Sequence, residues 1–252
     1  MPSEKRQRKK EGHRARLEAA RAEARRRQRR RQIRTAAVLI GGLFIVFAAV
    51  ALLSDDDDDP VAADTSTAAP YGEGECAPEE KPAVLPTSFD AAPRRCLDDG
   101  VDYSAVVTTS EGAFTVDLDE AGAPVTVNNF VTLARWGWFD GEGFHRVVKD
   151  FMNQAGNAAG RGNPGYTIPD ELPPSLDAYP KGTLAMANRG PDTGGSQWFV
   201  CVDCTKLTSP AYADFGAVTQ GQEVVDAINA LGVGDGPPSK PVTIDTVEIV
   251  ER

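Results

Sequence analysis

Histidine is almost absent from this chain. His13 and His145 are the two present, and the one long apolar run separates them, so no His pair can assemble. Cysteine is scarce too, with four residues, Cys76, Cys96, Cys201 and Cys204. Cys201 and Cys204 form a lone C-x-x-C with no second such pair and no histidine nearby, which argues against zinc. No metal or other cofactor is expected. Internal repeats are also missing.

Only one stretch is long and apolar. Ala36 to Leu53, AAVLIGGLFIVFAAVALL, has no charged or strongly polar side chain and approaches the roughly 20 residues a bilayer requires. It reads as a transmembrane helix over 35–54 that meets the membrane through residues 36–53. Of the 27 Lys+Arg in the chain, 15 precede residue 35, against 4 of the 37 Asp+Glu. Asp55 to Asp59 follow the run at once. This asymmetry places the basic tail, 1–34, in the cytoplasm and the rest outside, as a single-pass protein of the cell membrane. A cleaved signal peptide is the competitor, with Ala49-Val50-Ala51 as a passable cleavage pattern. However, the basic region is long and the run exceeds the roughly 7 to 15 apolar residues usual in such peptides. The arginines invite a nucleic-acid reading, but beside a span they set orientation and attract anionic lipid. No nucleic-acid partner is expected, and nothing here sets the oligomeric state.

All four cysteines fall on the outer side, where disulfides persist. Cys76 and Cys96 bracket a Pro-rich segment within a Pro/Asp-rich linker, 55–100, and are expected to bridge. Cys201 and Cys204 would lie ~10 Å apart in a straight strand, beyond disulfide reach. They can join only if the chain turns after Val202. A thioredoxin-like role is the minor alternative for that pair.

From 101 to 252 the texture changes to alternation. Phe114, Val116 and Leu118 face one way and Thr115, Asp117 and Asp119 the other, after a Ser110-Glu111-Gly112 turn, which predicts a hairpin. Pro124 suits a first helical position, Val127, Phe130, Val131 and Ala134 make one stripe, and Gly137 sits where a cap belongs. Further strands are predicted over 144–148, 151–154, 183–187, 197–202 and 215–218. A second helix is predicted over 222–231 with Val224, Ile228 and Leu231 on one side. A last strand, 241–250, changes parity between Ile244 and Val247, which predicts a bulge. Many short strands with two helices imply a mainly β domain, a closed sheet capped at its ends.

Two motifs carry the chemistry, FHRVVKDFMNQAGN at 144–157 and GTLAMANRGPDTGGSQWFV at 182–200, followed by FGAVTQGQEVVDAI at 215–228. In order and spacing they resemble the cyclophilin-type peptidyl-prolyl cis-trans isomerases over about Tyr103 to Val250. The layout of tail, span, linker and outer domain is similar to membrane-anchored bacterial, actinobacterial-like members. The resemblance implies a closed eight-stranded antiparallel barrel capped by two helices. It also implies proline-containing polypeptide segments as partners and substrates. It assigns catalysis to Arg146, Gln154 and Phe151, and substrate binding to Met152, Ala187, Asn188, Gln197, Phe199, Leu207 and Tyr212. Leu207 stands where many eukaryotic members have tryptophan, which implies weak cyclosporin binding. Ala155, Trp198 and Arg189 also depart from the commonest pattern and bear on substrate preference.

These residue types suit the reaction. Rotation about a peptide bond costs amide resonance, a barrier of ~18–20 kcal/mol, and needs no nucleophile. In the twisted state the proline nitrogen regains a lone pair, which a permanently charged guanidinium can hydrogen-bond while an apolar socket grips the ring. Alternation puts Phe144, Arg146 and Val148 on one face, Gln197, Phe199 and Cys201 on another strand's face, and Trp198 and Val200 inward. His145, on the opposite parity from Arg146, reads as structural. A non-catalytic module or holdase for proline segments is the alternative function, with Arg189 and Thr208 reshaping its groove.

Overall fold

A computed structural model describes residues 71–156 and 163–252. The expected span at 36–53, the basic tail and the first part of the linker lie outside the described residues. Among the described residues no helix is long and apolar enough to cross a membrane.

The strands are β1 (Tyr103–Thr109), β2 (Gly112–Leu118), β3 (Arg146–Val148), β4 (Met152–Ala155), β5 (Thr183–Met186), β6 (Trp198–Cys201), β7 (Asp214–Gln220) and β8 (Ile244–Glu251). They form one antiparallel sheet in the order β3-β4-β6-β5-β7-β2-β1-β8. Phe114, Val116 and Leu118 are buried and Thr115 and Asp117 are not, as the hairpin's alternation requires. The change of parity near the C-terminus is a β-bulge: Thr108 pairs with Thr246 but Thr109 with Ile244, so Asp245 is the extra residue.

The barrel is open, which corrects the expected closure. β3 and β8 are the two edges of the sheet, and the isolated bridge Gly143–Thr243 lies just before both. The cause is local. β3 is only three residues long, and the Val147 N–H donates instead to Gly236 O at 2.8 Å. A loop thereby takes the position a partner strand would need.

Helix α1 (Pro124–Arg135) begins with Pro124 at its first position, where the missing N–H costs nothing. Its local N-cap, Ala123, has no capping side chain. Glu171, far along the chain, supplies the cap instead: its carboxylate accepts from Val125 N at 3.0 Å, Thr126 N at 2.8 Å and Thr126 Oγ1 at 2.7 Å. At the other end Gly137 adopts φ +74°. The Gly137 and Trp138 N–H groups reach Ala134 O and Leu133 O, both at 2.9 Å, a Schellman cap. The expected single apolar stripe is also corrected, because every residue from Val125 to Ala134 is buried. The outer face is covered by residues 71–98, inside the segment assigned to the linker. Asn128 Oδ1 accepts from Cys96 N at 2.7 Å and its Nδ2 donates to Arg94 O at 2.9 Å. Helix α2 (Gln222–Ala230) packs on β2, β3 and β4. It buries Val225, Ile228 and Asn229, so its inner face is turned from the expected Val224-Ile228-Leu231 line, with Val224 and Leu231 at its margins.

Cys76 and Cys96 are bridged across 20 positions, which joins the ends of an arm with little regular structure. Closing a loop of that length in the unfolded chain is worth ~3 kcal/mol in the chain-entropy account. Replacing both cysteines by serine is expected to lower unfolding stability by ~2–4 kcal/mol. Urea denaturation of the oxidised wild type and the double variant checks this.

The core divides into two clusters. The larger lies inside the barrel around Phe114, Phe130, Trp138, Phe139, Trp198 and Phe215. The smaller lies on the other side of the same strands and holds Met152, Tyr179, Ala185, Phe199, Cys201 and Cys204.

Candidate active site

Strand register gathers the site. Arg146 pairs with Gln154, Gln154 with Phe199, and Phe199 with Ala185. These four therefore make one transverse row across β3, β4, β6 and β5. Their neighbours Val147, Asn153, Trp198, Val200 and Leu184 point to the opposite face. Two positions along, Met152 pairs with Cys201 and continues the same face.

Three members of the row, Arg146, Gln154 and Phe199, line a cleft of ≈ 570 Å³ together with Phe151, Met152, Ala187, Asn188, Gln197, Leu207 and Tyr212. All ten expected catalytic and binding positions thus line one concavity. One end is apolar: Met152 and Phe199 are buried, with Phe151, Leu207 and Tyr212 packed against their cluster. The Phe199 and Tyr212 rings meet edge to face at 5.2 Å. The rest of the lining is mostly polar and includes Asn163, Pro164, Thr167, Arg189, Thr193, Gly195 and Ser196. Arg146, Gln154 and Gln197 also line the cleft.

The guanidinium of Arg146 is held from two sides. Its Nη1 donates to Gln154 Oε1 at 3.2 Å, and Gln154 Nε2 donates onward to Gln197 Oε1 at 2.8 Å. On the far edge Nε and Nη2 grip both carboxylate oxygens of Asp235, the Nη2 bond at 3.2 Å. Such a two-point fork fixes the plane of the group. The hydrogen bonds and charge of Arg146 hold the Asp235 carboxyl below its ordinary range. Asp235 had no sequence signal: it sits in the Gly/Pro loop 232–238, outside both motifs, and it reaches Arg146 only through the loop that fills the β3 edge.

Other expected positions need comment. Phe144 does not share the Arg146 face. The strand starts at Arg146, and Phe144 turns into the barrel, its ring against Trp198 at 5.8 Å. His145 is half-buried, with Nδ1 buried and without a hydrogen-bond partner. Burial and the adjacent Arg146 charge lower its pKa, against the raising effect of Gln197, so it is neutral at physiological pH. The Asn188 amide is committed to loop structure, donating to Ala211 O at 2.8 Å and Asp170 Oδ1 at 3.3 Å. The chain does turn after Val202. A 3₁₀ turn at Cys204–Lys206 brings the Cys201 and Cys204 Cα atoms to 5.6 Å, and the two are bridged. Leu207, a wall of the cleft, follows this turn, with its N–H on Cys204 O at 3.0 Å.

Asp214, which begins β7 and pairs with Ala185, has its pKa raised by burial to about 6. A carboxyl with a raised folded pKa favours folding most below its unfolded value, and that contribution is lost as pH rises from about 4 to about 6. Asp214→Asn is therefore expected to flatten the fall in Tm between pH 4 and 7. It should raise stability at pH 7 by about 1 kcal/mol after allowing for solvent screening of this half-exposed group. Thermal unfolding across that range checks the sign.

Chemically the cleft offers an oriented cation beside an apolar socket. Ser196 gives its hydroxyl to Gly156 O, Thr193 to Gly190 O, and the nearby cysteines are oxidised. Among the described residues no cluster of three or more His, Cys, Asp or Glu is placed to hold a metal ion.

Comparison with known proteins makes this specific. The sequence profile of the family described as "Cyclophilin type peptidyl-prolyl cis-trans isomerase/CLD" matches residues 104–249. Peptidyl-prolyl cis-trans isomerase-like 1 of Homo sapiens is 40% identical over 148 residues, covering 57% of this chain and 87% of that protein. Probable peptidyl-prolyl cis-trans isomerase A of Mycobacterium leprae is 39% identical over 166 residues, covering 58% and 91%. A crystal structure of a Cryptosporidium parvum cyclophilin aligns with TM-score 0.55 and 25% identity over 60% of this chain and 99% of that one. The chain belongs to the cyclophilin-type peptidyl-prolyl cis-trans isomerases. It is an isomerase of X-Pro peptide bonds, acting on proline-containing polypeptide.

Proposed function

We propose that Arg146 supplies the catalytic hydrogen bond and that the apolar end of the cleft holds the proline ring. The observation that carries this is the single row of Arg146, Gln154 and Phe199 on adjacent strands. With Nε and one Nη2 proton on Asp235 and one Nη1 proton on Gln154, the remaining Nη protons are the uncommitted donors. A donor held in place meets the pyramidal imide nitrogen of the twisted state more strongly than the planar amide of either isomer, and only such a difference speeds the reaction. Each ~1.4 kcal/mol of it is a factor of ten. Phe151, Met152, Phe199, Leu207 and Tyr212 restrain the ring, while Gln154, Gln197, Ala187 and Asn188 hold the flanking backbone or Arg146. A related cyclophilin was crystallised in the presence of the dipeptide Ala-Pro, and we carry that ligand class to this cleft.

The same proposal covers the setting. The apolar run 36–53 anchors the chain once in a bacterial cell membrane, with 1–34 cytoplasmic, 55–100 as linker and 101–252 outside, acting on exported or cell-surface proteins. The charge asymmetry about the run and the two disulfides of the outer part support it. Membrane fractionation and protease accessibility of intact cells test it: a soluble, protected protein would end it. For the chemistry, NMR exchange between cis and trans signals of a proline peptide separates a catalyst from a holdase. The catalyst accelerates exchange; a pure binder shows occupancy alone.

A further inference from the structure

Residues 71–98 lie outside the span matched by the family, 104–249, yet they reach the mostly polar part of the cleft lining. The contact is made by Phe89. Its N–H donates to Pro164 O at 2.7 Å, and Pro164 lines the cleft. On the next residue, Gly165, φ is +102° and an added Cβ would stand 2.4 Å from Phe89 O. Only glycine tolerates both the conformation and that approach. The Phe89 ring enters an aromatic group, 5.5 Å from Trp136, 5.4 Å from Trp138 and 6.3 Å from Tyr166. From there a polar relay runs inward: Tyr166 OH donates to Asn129 Oδ1 at 2.7 Å, and Asn129 Nδ2 donates to Gly195 O at 2.6 Å. Gly195 also lines the cleft, and its Cα faces the Pro164 ring closely enough that a Cβ would lie 3.5 Å away. The arm is itself tied down by the Cys76–Cys96 bridge and by the bonds of Arg94 and Cys96 to Asn128.

We infer that Phe89 is a positioning residue for substrate: the arm 71–98 sets the polar wall of the cleft through Pro164 and, by way of Tyr166 and Asn129, through Gly195. The inference rests on the cleft being the substrate site. Neither Pro164 nor Gly195 belongs to the apolar cluster around Met152 and Phe199, so in this reading the arm governs residues flanking the proline and leaves the proline ring itself untouched. It thereby tunes which polypeptides are bound, and how tightly, without supplying a reacting group. Misplacement of such a wall weakens binding of long substrates more than of short ones.

The test uses the full chain with two ligands, the dipeptide Ala-Pro and a seven-residue peptide with three residues on each side of the proline. NMR titration of wild type and Phe89→Ala is expected to show the longer peptide weakened by about fivefold or more, with the dipeptide changed by less than about twofold. Tyr166→Phe keeps the ring and removes only the hydroxyl that Asn129 accepts from. It should weaken the longer peptide alone, and it decides the matter if Phe89→Ala does not fold. Unchanged affinity for the longer peptide in the folded variants overturns the inference. So does an equal loss for both ligands, which would mark general damage. Arg146→Ala in parallel keeps the two claims apart: an unchanged exchange rate there removes the cleft assignment, whereas a lost rate with Phe89→Ala indistinguishable from wild type removes only the role of the arm.

Discussion

Arg146→Ala is expected to lower kcat/KM for a proline peptide by at least tenfold, and on the order of a hundredfold if this donor carries as much as a typical oxyanion-hole donor. The fold should be unaffected. The Arg146–Asp235 pair is at the surface, with Asp235 70% exposed, and exposed pairs contribute little to stability. Arg146→Lys should recover little of the loss. An ammonium carries a charge but cannot hold a two-point fork to Asp235 and an in-plane bond to Gln154 together, so its direction is no longer set. Measuring exchange of cis and trans peptide signals, with unfolding curves alongside, decides between this and a passive role. An unchanged rate in a folded variant would remove the guanidinium from the mechanism.

Trp198→Ala should cost the most stability of any single change considered, ~3–5 kcal/mol. Its ring is fully buried and meets Phe130, Phe139 and Phe144 at 6.1, 6.2 and 5.8 Å, so truncation leaves a cavity that three rings cannot close. Phe199, the next residue, is nearly as buried but on the opposite face, in the smaller cluster beside Tyr212. Phe199→Ala should mainly weaken peptide binding, because the space it vacates opens to the cleft. The two variants, compared by denaturant unfolding and by peptide titration, are expected to show opposite patterns. Similar patterns in both assays would mean that β6 does not separate core from site as its alternation implies.

How much was legible beforehand varied with the range of the interaction. The hairpin at Ser110–Gly112, the helix opened by Pro124 and closed at Gly137, and the bulge near Asp245 each depend on neighbours within a few residues, and each lies where local pattern placed it. Eight of the ten cleft positions were legible because two long motifs carry them, and Leu207 and Tyr212 followed from the resemblance that those motifs establish. By contrast, the stripe of α1 understated its burial, since residues 71–98 cover the solvent side of that helix. Alternation assigns Phe144 to the Arg146 face, but parity applies only within a strand, and β3 starts two residues later.

Alternation and turn chemistry alone determined a mainly β domain behind a basic tail and one apolar run, and the resemblance carried by two motifs, with a guanidinium, two glutamines and an apolar group in succession, determined that it is an isomerase domain. Tertiary structure alone decided that the barrel stays open at β3 and β8, that Glu171 caps α1, that Asp235 orients Arg146, and that Phe89 touches the wall of the cleft. The reason is physical. Periodicity and turn chemistry act between near neighbours and leave a trace in the order of residues. A carboxylate or ring arriving from 45 to 89 positions away follows from how the whole chain packs, and leaves none.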